Sequence, residues 1–311
     1  MAKILVTGAA GFIGSHTTDR LLAEGHEVVG LDNFRTGREE NLASAARQAR
    51  FRLIREDITA DNLLAHVTAA EKPDAILHLA ALMSVPESIA NPDLNRRLNI
   101  EATRLVAAAA IGCGAVRRIA FASSAAVYGL NTDLPLRESA TPHPLSPYGA
   151  AKLESENILA EFARSHPAIS TVALRYFNVY GPRQDPRSPY SGVISLLASA
   201  YREGRPFARH GDGGQTRDFI TAADVARANM LALTQPVTGS LTVNICTGQS
   251  TPLNEMIRVM GTITGRTINP ASQPAREGDI RHSAGSPAAA AQHLGFRSAD
   301  SVETGLRALL A

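Results

Sequence analysis

Over the first half of the chain, short aliphatic runs alternate with longer stretches whose apolar residues recur at helical spacing. The runs fall at 4–6, 28–31, 51–54, 75–79, 119–122 and 171–175. Repeated strand–helix units of this kind predict a parallel sheet with helices on both faces. Right-handed crossovers make such a sheet doubly wound. The pattern changes after about residue 178. Residues 180–191 are rich in Pro, Arg, Asp and Ser and read as an ordered loop. Helical patterns follow around 193–202, 223–233 and 253–264, with short strands between them. The expected architecture is α/β: a doubly wound (Rossmann) domain over 1–178, to which roughly 217–247 return, and a smaller C-terminal α/β domain over 179–311. A length of 311 residues agrees, because single cores stop growing near that size.

Composition narrows the function classes. With 44% hydrophobic and 19% charged residues, the chain is globular rather than disordered. A formal net charge of +2 gives no general drive toward nucleic acid or anionic lipid, and there is neither a basic stripe nor an aromatic platform for a nucleic acid. An anionic ligand must then be held by a few placed arginines. Cys113 and Cys246 are far apart and are expected as free thiols in a reducing cytoplasm. No Cys/His cluster has metal-ligand spacing, so no metal is expected. The chain begins directly on a strand pattern, so no signal peptide is expected. The longest apolar run, 105–111, is too short to span a bilayer.

The first strand runs into Gly8-Ala9-Ala10-Gly11-Phe12-Ile13-Gly14 and then a helix. Gly8 allows the tight turn, Gly11 lets backbone approach a pyrophosphate, and Gly14 lets helix pack on strand. The helix start offers free N–H groups and a positive dipole end to phosphates. Asp32 ends the second strand, 18 residues after Gly14. A carboxylate there accepts both ribose hydroxyls and repels a 2′-phosphate, favouring NAD over NADP. Arg35 and Arg38 argue the other way, since either could serve that phosphate. Asp57-Ile58, after the third strand, suits the adenine edge.

Tyr148 and Lys152 are one turn apart on a predicted helix, with Ser146 as N-cap and Pro147 at the first helical position. A free tyrosine ionises near pH ~10. A neighbouring ammonium and a cationic nicotinamide ring should lower that value, making a phenolate base usable near neutrality.

These motifs come in order with His78-Leu79-Ala80-Ala81, Ser123-Ser124-Ala125-Ala126-Val127-Tyr128-Gly129, Arg175-Tyr176-Phe177-Asn178, Arg217-Asp218, Asn244, Arg276 and Asp279. The set resembles the extended short-chain dehydrogenase/reductase family, closely its UDP-glucose 4-epimerase branch, over nearly the whole chain. The resemblance implies Ser124, Tyr148 and Lys152 as catalytic residues, with Lys152 also on the nicotinamide ribose. It implies NAD contacts from Gly8, Gly11, Phe12, Ile13, Gly14, Asp32, Asn33, Asp57, Ile58, Leu79, Ala80, Ala81, Asn99, Ser123, Tyr148, Lys152 and Tyr176. Asn99 reads equally as a polar residue on a helix surface. For a UDP-sugar it implies Ser84, Ser124, Tyr148, Asn178, Val193, Arg217, Arg276, Asp279 and Ser283, the two arginines suiting a diphosphate. It also implies a homodimer through helices at 91–111 and 147–164.

Departures within the family select the reaction. Resembling 4,6-dehydratases carry Asp-Glu where this chain has Ala125 and Ala126, and the glutamate of resembling decarboxylases is likewise Ala126. What remains suffices for 4-epimerisation. Asp185 should repel a sugar carboxylate, favouring a neutral hexose. Ser283 is small where a bulky residue would exclude N-acetyl sugars, and 82–86 and 278–283 resemble the N-acetylhexosamine epimerases, although Glu87 stands where that group has Arg. The alternatives are a dehydratase of unusual regiochemistry, a UDP-pentose or UDP-glucuronate epimerase, and a non-catalytic redox sensor, which the Tyr/Lys pair disfavours.

Overall fold

A computed structural model describes residues 1–186, 192–274 and 280–311. Strands β1 (Lys3–Thr7), β2 (Glu27–Leu31), β3 (Phe51–Ile54), β4 (Ala75–His78), β5 (Arg118–Ser124) and β6 (Ser170–Tyr176) join the strand Ser240–Ile245 in one seven-stranded sheet. The order is Ser240–Ile245, β6, β5, β4, β1, β2, β3, and every pairing is parallel. All residues of β4 and β6 are buried, which is why these strands read as continuous apolar runs. Ser240–Ile245 starts exposed at the sheet edge and therefore lacks that signature.

Successive residues of each strand feed opposite cores. Ile4, Val6, Val28, Leu77, Ala120 and Val172 face the helices Phe12–Ala23 and Ala222–Thr234. Leu5, Val29, Ile76, Ile119 and Ala173 face Leu63–Glu71, Ala102–Cys113 and Pro147–Ser165, whose Val67, Val106, Ala110, Leu159 and Phe162 fill that side. Asn229 ties the first pair of helices to the sheet, donating to Thr17 Oγ1 at 2.9 Å and accepting the Tyr176 hydroxyl at 2.6 Å. A third core holds Tyr180, Ile194, Leu197, Tyr201, Phe219, Met256, Met260 and Leu306. It underlies the later helices Val193–Glu203, Leu253–Thr264 and Val302–Leu310. No helix among the described residues is long and apolar enough to cross a membrane.

Two local outcomes differ from the sequence pattern. Residues 91–111, expected as one helix, divide into Pro92–Asn95, a π-helical turn Arg96–Glu101 and the α-helix Ala102–Cys113. The wider turn buries two asparagines: Asn95 Nδ2 donates to Pro147 O and Asn99 Nδ2 to Leu82 O, both at 3.0 Å. Such turns recur at functional sites. Second, β5 runs two residues past the predicted end, so Ser123 and Ser124 are strand residues in register with Arg175 and Tyr176.

Candidate active site

The strand order reverses between β1 and β4, and a doubly wound sheet opens a crevice at such a point. Gly8, at the end of β1, has φ +74°, and a Cβ there would sit 2.8 Å from Ala80 N. A Cβ on Gly14 would sit 2.0 Å from Gly8 O. The turn therefore closes only with glycine at both positions. Gly11 caps the following helix with no side-chain hydrogen bond, leaving its first N–H groups to an incoming anion. Asp32 fixes the opposite wall, accepting the Ala10 and Phe34 N–H groups at 2.8 Å each. Burial pushes its carboxyl upward, opposed by the backbone N–H groups of Phe34, Ala10 and Gly11. Asp57 accepts Asn33 Nδ2 at 2.9 Å and both donors of Thr59.

One cavity is lined by Gly8, Gly11, Phe12, Ile13, Gly14, Asp32, Asn33, Asp57, Ile58, Leu79, Ala80, Ala81, Ser123, Tyr148, Lys152 and Tyr176. Asn99 is the exception among the expected cofactor contacts. It stands behind this wall and braces it through Leu82 O, because the π-turn aims its side chain at the backbone. The far wall is Arg183-Gln184-Asp185, of which the sequence reading had placed only Asp185 near a ligand. This loop is strapped down by His16 against Pro182 O at 2.9 Å and by Arg183 on Asp19 at 2.6 Å. Only its Pro-Arg-Gln composition hinted at order.

The same loop answers the question left by Arg35 and Arg38. Both line the cavity, but Arg35 is ion-paired with Glu87 and Arg38 with Asp185. A carboxylate thus already answers the charge of each guanidinium, which weakens its pull on a 2′-phosphate. The pairing also corrects the reading of Asp185: its charge is met by Arg38, so it does not stand as an unanswered barrier to a sugar carboxylate. Replacing both acids (Glu87→Gln with Asp185→Asn) is expected to raise affinity for NADP⁺ relative to NAD⁺ about tenfold, the scale of one charge-assisted hydrogen bond. Calorimetric titration of the two dinucleotides checks this, and an unchanged ratio would leave Asp32 as the sole discriminator.

Tyr148 and Lys152 enter the cavity from the helix Pro147–Ser165. Ser146 caps it, its Oγ accepting Gly149 N–H at 3.1 Å, and Pro147 holds the first turn. The Tyr148 N–H, left over at this helix start, donates to Ser88 Oγ at 3.2 Å. Lys152 Nζ lies 5.8 Å from the Tyr148 ring centre and 4.8 Å from that of Phe121. Ser124 hydrogen-bonds the Tyr148 phenol and also accepts Ala126 N–H at 3.1 Å. Burial raises the Tyr148 phenol above its ordinary range, offset in part by Ser124. Burial also brings the Lys152 ammonium down to about 7. The lysine alone does not make a phenolate, because desolvation penalises both charged forms.

Beyond Ser124, Tyr148 and Lys152, Asn178, Arg217 and Ser283 meet around one short segment. Asn178 donates its backbone N–H and Nδ2 to Asp218 O, Arg217 folds back on Thr216 O, and Ser283 N–H donates to Thr216 O at 3.2 Å. Asp218 ties the cluster together, accepting Thr247 N and Oγ1, Gly248 N and Gly285 N. Val193 opens the helix Val193–Glu203, and Ser84, buried, caps Glu87 N–H at 3.0 Å. Arg276 and Asp279 lie outside the described residues.

The profile of the NAD dependent epimerase/dehydratase family matches residues 4–246. The chain belongs to this family. Its relatives include the UDP-glucose 4-epimerase of Mycolicibacterium smegmatis, 38% identical over 281 residues that cover 90% of this chain and 88% of the relative. The UDP-N-acetylglucosamine 4-epimerase of Methanobrevibacter ruminantium, solved with UDP-N-acetylmuramic acid, superposes with a TM-score of 0.93 at 35% identity over 99% of this chain and 97% of that one. MoeE5, solved with UDP-glucuronic acid and NAD, gives 0.87 at 36% identity over the same shares. The glycine turn, the uncapped helix start and the two neutralised arginines fit the dinucleotide of the family's name. Among the described residues no group of His, Cys, Asp and Glu could hold a metal.

Proposed function

We propose that this protein is an NAD-dependent 4-epimerase of a UDP-hexose, acting on UDP-glucose/UDP-galactose, on the N-acetyl pair, or on both. One observation carries the reading: Tyr148 and Lys152 line the cavity that the glycine turn opens, Ser124 acts on the Tyr148 phenol, and Ala125 and Ala126 put no acid or base beside them. When bound, NAD⁺ supplies the acceptor for the hydride leaving the sugar C4. Tyr148 Oη takes the proton from the sugar O4 and later returns it. Ser124 Oγ, hydrogen-bonded to that phenol, orients the same oxygen. Lys152 stabilises the phenolate by its charge. Asn178 and Arg217 hold the UDP portion, and the hexose, gripped loosely, turns its other face as the 4-keto sugar.

Incubating the protein with UDP-glucose, UDP-GlcNAc and UDP-glucuronate and separating the products tests this. Formation of the C4 epimer of either neutral sugar is the expected result, and a product lighter by one water would remove the epimerase reading. UDP-glucuronate is the second reading, favoured by one observation: Arg38 cancels the Asp185 charge once weighed against it.

The proposed partner is a second copy of the chain, packed on the helices Ala102–Cys113 and Pro147–Ser165. Leu105 and Ile111 of the first of these are exposed. Light scattering should give twice the mass of one chain, and a single-chain mass would overturn it. Cys113 and Cys246 are unpaired, which suits a cytoplasmic enzyme.

A further inference from the structure

The mechanism leaves unused a buried carboxylate one helical turn beyond Lys152. Glu156 is 6% exposed and Arg175, reaching across from β6, is 5% exposed. They meet as a fork, Nε to Oε1 at 2.9 Å and Nη2 to Oε2 at 2.7 Å. Glu156 Oε1 also accepts the Ser123 hydroxyl, and Ser123 immediately precedes Ser124 on β5. The guanidinium is backed by the Tyr128 ring at 4.8 Å and donates to Glu138 O at 3.4 Å. A buried pair of this kind is often no more stabilising than apolar side chains of the same volume. Its position, between the strand end that carries Ser124 and the helix face that carries Lys152, suggests a second use.

We propose that Glu156 is a positioning residue: it is the counter-charge that keeps Lys152 cationic, and through Ser123 it fixes the end of β5 that presents Ser124. The first half of this statement deepens the reading that Lys152 stabilises the Tyr148 phenolate. The Lys152 ammonium lies among the rings of Phe121 and Tyr148, with buried His78 on β4 close enough to be affected by its charge. His78 accepts or donates through Nδ1 to Thr7 Oγ1 at 2.9 Å and is held neutral by burial. Glu156 is the negative charge that favours the ammonium against this desolvation. Arg175 pairs with the same carboxylate. The charged groups of the segments packed on the helix's other side are turned away: Arg96 pairs with Glu101 and Arg104 with Glu154, all at the surface. Glu87 pairs with Arg35, and Arg97 acts on Asp57.

The sequence makes the test direct, because it contains three lysines, Lys3, Lys72 and Lys152. Protein labelled with ¹³C at lysine Cε gives three signals, and the buried one is followed by NMR as pH is raised, without substrate. In Glu156→Gln its midpoint is expected to fall by about one pH unit, the smaller end of what an adjacent opposite charge contributes. Glu156→Asp keeps the charge and is expected to hold the midpoint within a few tenths of a unit. Glu156→Gln leaves Arg175 buried without a charged partner and can fail to fold. Glu156→Met combined with Arg175→Met leaves neither charge buried alone, and a fall in the same direction is expected there, smaller because the Arg175 charge is removed as well. An unmoved midpoint in whichever of these folds, or an equal fall in Glu156→Asp, overturns the proposal. Where the wild-type protein interconverts UDP-hexoses, the alkaline limb of its rate profile should move to lower pH with the midpoint. Absence of that activity in the wild type would count against the proposed function and leave the lysine titration to decide this inference.

Discussion

Tyr148→Phe is expected to lower turnover by about a thousandfold while leaving dinucleotide affinity within a few-fold. The substitution removes one oxygen and keeps the ring that packs 5.8 Å from Lys152 Nζ, so the cavity wall survives. What disappears is the atom that carries the proton to and from the sugar O4. A positioned acid–base group contributes roughly 10²–10⁴ in rate. Ser124 remains, but its hydroxyl already accepts Ala126 N–H and has no comparable route to an anion. Single-turnover assays with calorimetric titration of NAD⁺ separate the two quantities. Turnover within tenfold of wild type would show that the proton moves by another path.

Gly14→Ala should have the largest structural effect. The added methyl would lie 2.0 Å from Gly8 O, 2.9 Å from Gly8 C and 3.0 Å from Ala9 Cα. All three are backbone atoms of the turn, so no side chain can move aside. Relief requires the turn to open, which costs about 1–3 kcal/mol by analogy with overpacked cores and spoils the helix start that would face a pyrophosphate. The expected outcome is a melting temperature lower by several degrees together with loss of measurable dinucleotide binding. Gly112→Ala is the control. Nothing lies within 4 Å of a Cβ there, and alanine in a helix should stabilise by up to about 1 kcal/mol. Equal destabilisation by both substitutions would mean that the turn is not under the proposed constraint.

Sequence reasoning succeeded where chemistry and spacing are local. Gly11 and Gly14 need only neighbours within their own turn to justify them, and Tyr148 and Lys152 need only a helix that Ser146 and Pro147 begin. The sheet was legible because doubly buried strands have no polar alternation to confuse with a surface helix. The failures are all questions of what meets what across long separations. Asp185 is 147 residues from Arg38, and read alone it looked like a bare negative charge. Asn99 reads equally as a cofactor contact or a helix-surface residue, and the structure buries it with Nδ2 on Leu82 O. The strand Ser240–Ile245 falls between helices where short strands were expected, in the segment expected to return, but its half-polar pattern does not say which strand it joins.

That edge strand has a consequence for how the polypeptide can be divided. Six of its residues pair with β6, and they are reached only after the chain has already built much of the third core. A fragment stopped near residue 178 would leave β6 as a bare rim of unsatisfied amides and carbonyls, open to pairing with other chains. It would also lack Asn229, which bridges Thr17 and Tyr176. Residues beyond 178 thus complete the sheet that the earlier ones begin, and neither part should persist as a soluble piece when expressed without the other.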